Sequence, residues 1–229
     1  MKKRWRETFL LHSESNEFKE KVSEAKTIIA TALEKYQKPY VAFSGGKDST
    51  CVLHLVLQQD ASCMVLHWDY GRYYIPRKVH QEIIRNAKIL GAVNLRIETS
   101  VKYEILGRRA FNVLGQDMLG KLVPQLIKEG YDVCFVGLRV QESPKRKRRI
   151  QSGKALTKLP EIFPVRSWSW MDVWAYIVSH NLPYLSHYDL YAPIIGWDKV
   201  RFTTFFDPEF DKLGCSNVDG VLMWKYKHI

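Results

Sequence analysis

Cysteine is scarce: there are four in 229 residues, at positions 51, 63, 134 and 215, with no Cys-x-x-Cys pair among them. The seven histidines fall at no metal-binding spacing either. These absences argue against a structural zinc or an iron–sulfur cluster, and no metal-ligating set is assigned. Cys51, Cys63 and Cys134 lie inside apolar stretches, as buried free thiols of a reducing compartment do. Long apolar runs are missing too. None approaches the roughly 20 residues needed to cross a bilayer, so no membrane partner is expected. No signal-like apolar segment follows the charged start Met1-Lys2-Lys3-Arg4-Trp5-Arg6-Glu7, and the expected location is the cytoplasm. A Walker-type phosphate loop is excluded, because it needs a glycine five residues before its Gly-Lys pair and position 41 is Val. No Gly-x-Gly-x-x-Gly dinucleotide fingerprint follows a strand.

Acidic residues are outnumbered, 24 against 35 Lys and Arg, which leaves a net charge of +11. Such a surplus points to anionic ligands or partners. Nucleotide phosphates and sulfate suffice, and nucleic acid is a further candidate. With 46% apolar and 13% aromatic residues, a packed core is expected rather than disorder.

Along the chain, apolar positions in residues 16–37 follow helical spacing, with Ser13 or Ser15 as N-cap. Thereafter strands and helices alternate. Strands are expected at 40–43, 62–68, 93–98, 133–137 and 161–165. Helices are expected after the first strand, over 76–90 with Gly91 closing it, over 115–129 with Gly130 closing it, and over 170–180 with Ser169 as cap. Pro183, Pro193 and Pro208 make the stretch from Leu182 onward read as loops. This alternation predicts an α/β fold: a Rossmann-like, doubly wound parallel sheet of about five strands with helices on both faces. The expected organisation is an N-terminal helical extension (1–37), a nucleotide-binding domain (38–190) and a loop-rich tail packed on it (191–229).

The most informative string is Ser44-Gly45-Gly46-Lys47-Asp48-Ser49, between an apolar strand and a buried helix. Adjacent glycines let the backbone approach a ligand closely. The helix that follows offers unpaired N–H groups and the positive end of its dipole to an anion. Lys47 adds charge, and Ser44 and Ser49 add hydroxyl donors. In a parallel sheet such a turn lies at the carboxyl edge, where Asp69 and Gly137-Leu138-Arg139 also fall and can converge on one pocket. Asp69 either accepts a ribose hydroxyl or simply ends its strand.

The six-residue string resembles the pyrophosphatase loop (PP-loop) of the adenine nucleotide alpha hydrolase superfamily. Gly137-Leu138-Arg139-Val140-Gln141-Glu142-Ser143-Pro144-Lys145-Arg146 resembles a segment of the phosphoadenosine phosphosulfate reductase family within it. Phe163-Pro164-Val165-Arg166, the Asp172-Val173-Trp174 helix and Leu182-Pro183-Tyr184 extend that resemblance over roughly residues 38–190. It implies ATP bound by residues 44–49, with adenine held near Leu66–Trp68 and Trp68, Asp69 and Gly137 at the site. It also implies Lys47, Asp48 and Arg139 in catalysis and Mg²⁺ as a companion, with Asp48 or Asp69 as its holder. Arg139 and Arg146, one of them neutralised and oriented by Glu142, would clamp an anionic acceptor, with Ser143 also counted among the substrate-binding residues. The run Lys145–Arg149 otherwise reads as a solvated basic loop. Two chemistries stay open. One is cleavage of ATP between the α and β phosphates with adenylyl transfer. The other is reduction of a sulfonucleotide (PAPS or APS) by Cys215, whose surroundings depart from the reductases' Glu-Cys-Gly tail. A nucleotide- or nucleic-acid-binding protein without catalysis is a third reading. Nothing in the sequence specifies an oligomeric state.

Overall fold

The computed structural model describes residues 1–153, 155 and 157–202. Five parallel strands form one sheet in the order β3-β2-β1-β4-β5. They are β1 (Pro39–Ala42), β2 (Met64–Asp69), β3 (Leu95–Thr99), β4 (Val133–Val136) and β5 (Glu161–Ile162). The strand order reverses between β1 and β4, which places the topological switch point there. β2 is buried along its whole length, whereas β3, at the sheet edge, is half exposed.

Two helices precede the sheet, α1 (Lys3–Ser13) and α2 (Asn16–Lys35). Ser15 caps α2 by accepting from the Phe18 N–H at 3.3 Å, which settles the choice between Ser13 and Ser15. The first strand feeds α3 (Lys47–Leu57), which is buried on nearly every side. Then come α4 (Arg77–Ile89), α5 (Val101–Leu106), a 3₁₀ segment (Gly107–Val113), a π turn (Met118–Leu122) and α6 (Val123–Lys128). The chain continues through α7 (Pro144–Ser152), α8 (Trp170–Ser179) and α9 (His187–Ile195). Among the described residues, no helix is long and apolar enough to cross a membrane.

The core is continuous from the N-terminal helices to the sheet. Phe9 of α1 stacks on Trp174 of α8 at 6.2 Å, and Trp174 meets Trp197 edge-on at 4.7 Å. Asp172 joins the same elements by polar contacts. It caps α8 together with Ser169, and it also holds His12 at 2.7 Å and Lys21 at 2.9 Å. A fully buried carboxylate tolerates that position because each oxygen has a partner.

Several expectations need correction. Residues from Leu182 on are not all loop: α9 forms there because Tyr188 and Ala192, one turn apart, both bury. Its Pro193 stands late in the helix and costs a single bond to the Asp189 carbonyl. α9 also straddles the boundary expected at 190/191. The helix expected over 115–129 runs without a break over 116–128, but it is wound as a π turn from Met118 to Leu122, because Pro124 has no N–H to return to Gly120. β5 stops at Ile162 rather than Val165, with Pro164 unable to extend the ladder. The basic run expected as a loop is helix α7. Ser143 caps it at 3.2 Å, Pro144 starts it, and two of its arginines are neutralised from the body of the protein.

Candidate functional site

The turn between β1 and α3 is built for close approach. Gly45 has φ +84°, and a Cβ there would lie 2.5 Å from Ile83 Cγ1, so only glycine fits. The Gly46 N–H donates to Ser44 Oγ at 3.2 Å, while Ser49 Oγ donates to the Gly46 carbonyl at 2.9 Å. The two serine hydroxyls stand 3.1 Å apart. Gly137, at the end of β4, presses directly on this first helical turn. A Cβ on it would meet the Ser49 nitrogen at 2.7 Å. Glycine at 137 is therefore what lets β4 close against the start of α3 at the switch point.

A cavity of ≈ 580 Å³ opens beside this contact. Ser44, Gly46, Asp48 and Ser49 form one wall, and Gly137, Leu138 and Glu142 another. Leu66, Trp68, Tyr70, Met118 and Leu119 give it an apolar and aromatic side. Lys145, Arg146, Arg149 and Arg201 give it a basic one. Such a division, flat apolar surface beside helix N–H groups and cations, suits a nucleotide with its phosphates.

Beneath the turn lies a chain of buried ions. Lys47 is 1% exposed and its amine sits 3.3 Å from Asp48 Oδ2. The other Asp48 oxygen accepts from Arg139 Nε. Burial pushes the Lys47 amine below its ordinary pKa, against the opposing pull of Asp48. Burial would raise the Asp48 carboxyl, but Arg139 and Lys47 outweigh it and hold it well below the usual range. Arg139 also donates its backbone N–H to Glu142 Oε2 at 3.1 Å. Glu142 in turn pairs with Arg146, and Arg139 and Arg201 each lie 4.0 Å from its other oxygen. Among the described residues, four cations thus face two carboxylates behind and beside the cavity.

The expected residues therefore divide. Ser44, Gly46, Asp48, Ser49, Trp68, Gly137, Glu142 and Arg146 meet at the cavity. Gly45, Lys47, Asp69, Arg139 and Ser143 are not on its walls. Lys47 and Arg139 lie one layer behind, and Ser143 is the cap of α7. Asp69 ends β2, accepts from the Gly71 N–H at 2.8 Å and holds Arg77 at 2.7 and 2.8 Å. Cys215 lies outside the described residues. Cys51, Cys63 and Cys134 are buried and free, and burial raises each thiol above its ordinary pKa.

Carboxylates do not present a metal site here. Asp48, Asp69, Glu142 and Glu161 each already hold a cation, and among the described residues no three His, Cys, Asp or Glu side chains cluster to hold a metal.

Three participants had no periodic or motif signal. The Tyr188 hydroxyl accepts from the Lys47 N–H at 3.0 Å and from the Phe202 N–H at 3.2 Å, clasping the loop to the segment after α9. Arg201 reaches the cavity from the stretch after α9, and Met118 from the start of the π turn.

A family model described as the phosphoadenosine phosphosulfate reductase domain matches residues 38–220. The chain belongs to this family. Among similar members is an adenosine 5'-phosphosulfate reductase of Bacillus mycoides, 27% identical over 85% of each chain. Subunit 2 of the sulfate adenylyltransferase of Streptomyces lavendulae is 25% identical over 70% of this chain and 59% of that one. An uncharacterised protein of Methanocaldococcus jannaschii is 31% identical over 75% of this chain, which spans only 37% of that relative. The fold resembles that of a phosphoadenylyl-sulfate reductase from Candida auris, solved as a phosphate complex. The TM-score is 0.53 at 16% identity, covering 73% of this chain and 84% of that one. The family's members just named include a reductase and an adenylyltransferase subunit, so membership supports an enzyme without choosing the reaction.

Proposed function

We propose that the chain binds ATP and cleaves it between the α and β phosphates, transferring the adenylyl group to an anionic acceptor. One observation carries the reading: the Ser44–Ser49 turn and a wall of arginines face each other across one cavity at the switch point. Adenine would lie against Trp68, Tyr70 and Met118. The departing phosphates would lie at the first turn of α3, whose N–H groups lack intrahelical partners. An acceptor oxygen attacks the α phosphorus, the α–β bridge breaks, and charge accumulates on pyrophosphate. Ser44, Ser49 and the helix terminus stabilise that charge at short range, and the buried Lys47 adds a field from behind the turn. Arg146 and Arg201 would hold the acceptor, with Glu142 keeping both in place.

A second reading has its own support, since the Bacillus reductase matches this chain over 85% of both lengths. In that reaction a Cys215 thiolate attacks the sulfonyl sulfur and releases the nucleoside phosphate. A second thiol then frees sulfite as a disulfide forms.

The decisive test incubates the protein separately with Mg-ATP and with each sulfonucleotide plus a dithiol, then identifies the anion released. Pyrophosphate that falls at least tenfold in Ser49→Ala supports the first reading. Sulfite that disappears in Cys215→Ser replaces it with the second. Neither anion in the presence of either nucleotide removes both.

A further inference from the structure

The rim of the cavity carries cations that the nucleotide chemistry does not use. Helix α7 bears five consecutive basic residues, Lys145 to Arg149. Two of them point inward to carboxylates, Arg146 to Glu142 and Arg149 to Glu161. Lys145, Lys147 and Arg148 are exposed, and among the described residues no carboxylate pairs with any of them. Arg108 and Arg109, in the 3₁₀ segment, are likewise exposed and unpaired by carboxylates among the described residues.

Topology puts the two groups on opposite flanks of one mouth. All five strands are parallel, so the segments leaving their carboxyl ends share one edge of the sheet. α7 follows β4 and is tied to β5 through Arg149 and Glu161. Arg108 is tied to the β2 side, because Tyr74, in the loop after β2, donates to its carbonyl at 2.9 Å. From β2 across β1 and β4 to β5 is three strand spacings, roughly 14 Å. Other basic residues on this rim are spent: Arg72 pairs with Glu104, Arg77 with Asp69, and Lys102 with Asp117. What remains, among the described residues, is a pair of cation clusters without carboxylate partners, one on each flank of the mouth.

We propose that this rim is a docking track for single-stranded nucleic acid, and that the anionic acceptor of the reaction is carried on it. The choice follows from shape and charge. Regularly spaced phosphates can meet both clusters at once, so the strand runs across the cavity mouth. A duplex is too wide and stiff to lower its own atoms into a recessed pocket, whereas a single strand can turn one nucleotide inward. The acceptor assignment rests on the adenylyl-transfer reading; the docking itself does not.

The test is fluorescence anisotropy with a labelled 20-nucleotide single strand, the matching duplex and polyglutamate, across salt concentrations. Five phosphate contacts predict a slope of log K on log salt near −3.5, taking about −0.7 per contact for a single strand. The double variant Lys147→Ala/Arg148→Ala should flatten the slope by about 1.4 and weaken binding about 25-fold at 0.1 M salt. Arg108→Ala/Arg109→Ala should do the same, which separates a track across the mouth from a patch on α7 alone. ATP affinity, measured by calorimetry on the same variants, should stay unchanged, because none of these four residues lines the cavity. Binding that is insensitive to salt or to both double variants overturns the proposal. So does equal affinity for the duplex, or displacement by polyglutamate at equal charge. Salt-dependent strand binding without ATP binding would leave the track standing and remove the adenylyl-transfer reading.

Discussion

At the scale of single residues, Lys47, Asp48 and Arg139 behave as one unit. Asp48 is the hinge of this unit, since it answers two buried cations while Lys47 and Arg139 each answer mainly it. The two ends of the unit therefore respond differently to substitution. Asp48→Asn removes the near counter-charge of Lys47 and leaves Arg139 only the more distant Glu142, and should cost about 3–5 kcal/mol of stability. Lys47→Met leaves Asp48 still paired with Arg139, so it should cost clearly less. Its larger effect should be on turnover, about 10²–10³-fold in kcat, as for other groups that stabilise developing charge. Denaturant melts and pyrophosphate release measured on both variants separate the two roles. Equal stability losses would show that the unit is not organised around Asp48. Arg139 illustrates what linear reading cannot supply. An arginine beside a strand end reads as an anion clamp, yet folding turns its guanidinium onto Asp48, 91 residues earlier. In the proposed reaction the clamp passes to Arg146 and Arg201.

At the scale of elements, the site depends on a contact between a strand end and a helix start. Gly137 makes that contact, and its neighbours are backbone atoms that cannot rotate away. Gly137→Ala should therefore lower stability by about 1–3 kcal/mol, the usual cost of overpacking, and weaken nucleotide binding at the same time. Thermal melts and ATP titration of the variant check both effects. An alanine variant of unchanged stability would mean that β4 and α3 can separate freely. Helix α7 teaches a related lesson. Five adjacent positive charges repel one another and argue for a loop, but Ser143 and Pro144 provide a helix start. Glu142, four residues before Arg146, and Glu161, brought to Arg149 by the fold, remove two of the five charges. Local repulsion is overruled by carboxylates that the chain places there from outside the run.

For the whole molecule, the pH response follows from its buried histidines. His67 donates from Nδ1 to the Phe43 carbonyl at 2.8 Å, just before the phosphate turn, and stacks on His80. Burial lowers its pKa to about 4, and His54 is lowered to about 4 in the same way. A histidine held neutral by the fold contributes stability fully above its unfolded pKa near 6.5. That contribution is lost as pH falls from 6.5 toward 4, because only the unfolded chain takes up the proton readily. For His67 this amounts to on the order of 3 kcal/mol across the window. A second loss should follow below pH 4. There Asp69 and Asp172, whose carboxyls are held down by Arg77 and by His12 and Lys21 against the upward push of burial, must take up protons. Denaturation midpoints measured from pH 8 to pH 3 should show both steps, and His67→Gln should shrink the first to the share that His54 contributes. A flat profile between pH 6.5 and 4 would show that both His54 and His67 are hydrated.

Strand and helix order, the turn at residues 44–49 and the family resemblance were all legible in the chain, because each depends on spacing between near neighbours. Periods of two and of 3.6 residues, and glycine where backbone must approach, act within one turn or one strand. Tertiary structure alone decided which charges are spent and which remain available. It paired Arg139 with Asp48 and Asp69 with Arg77, brought Tyr188 under the loop, and drew Arg201 to the cavity. Coulomb attraction and desolvation depend on distance in space, and that distance is fixed only when the sheet brings separate strand ends to one edge.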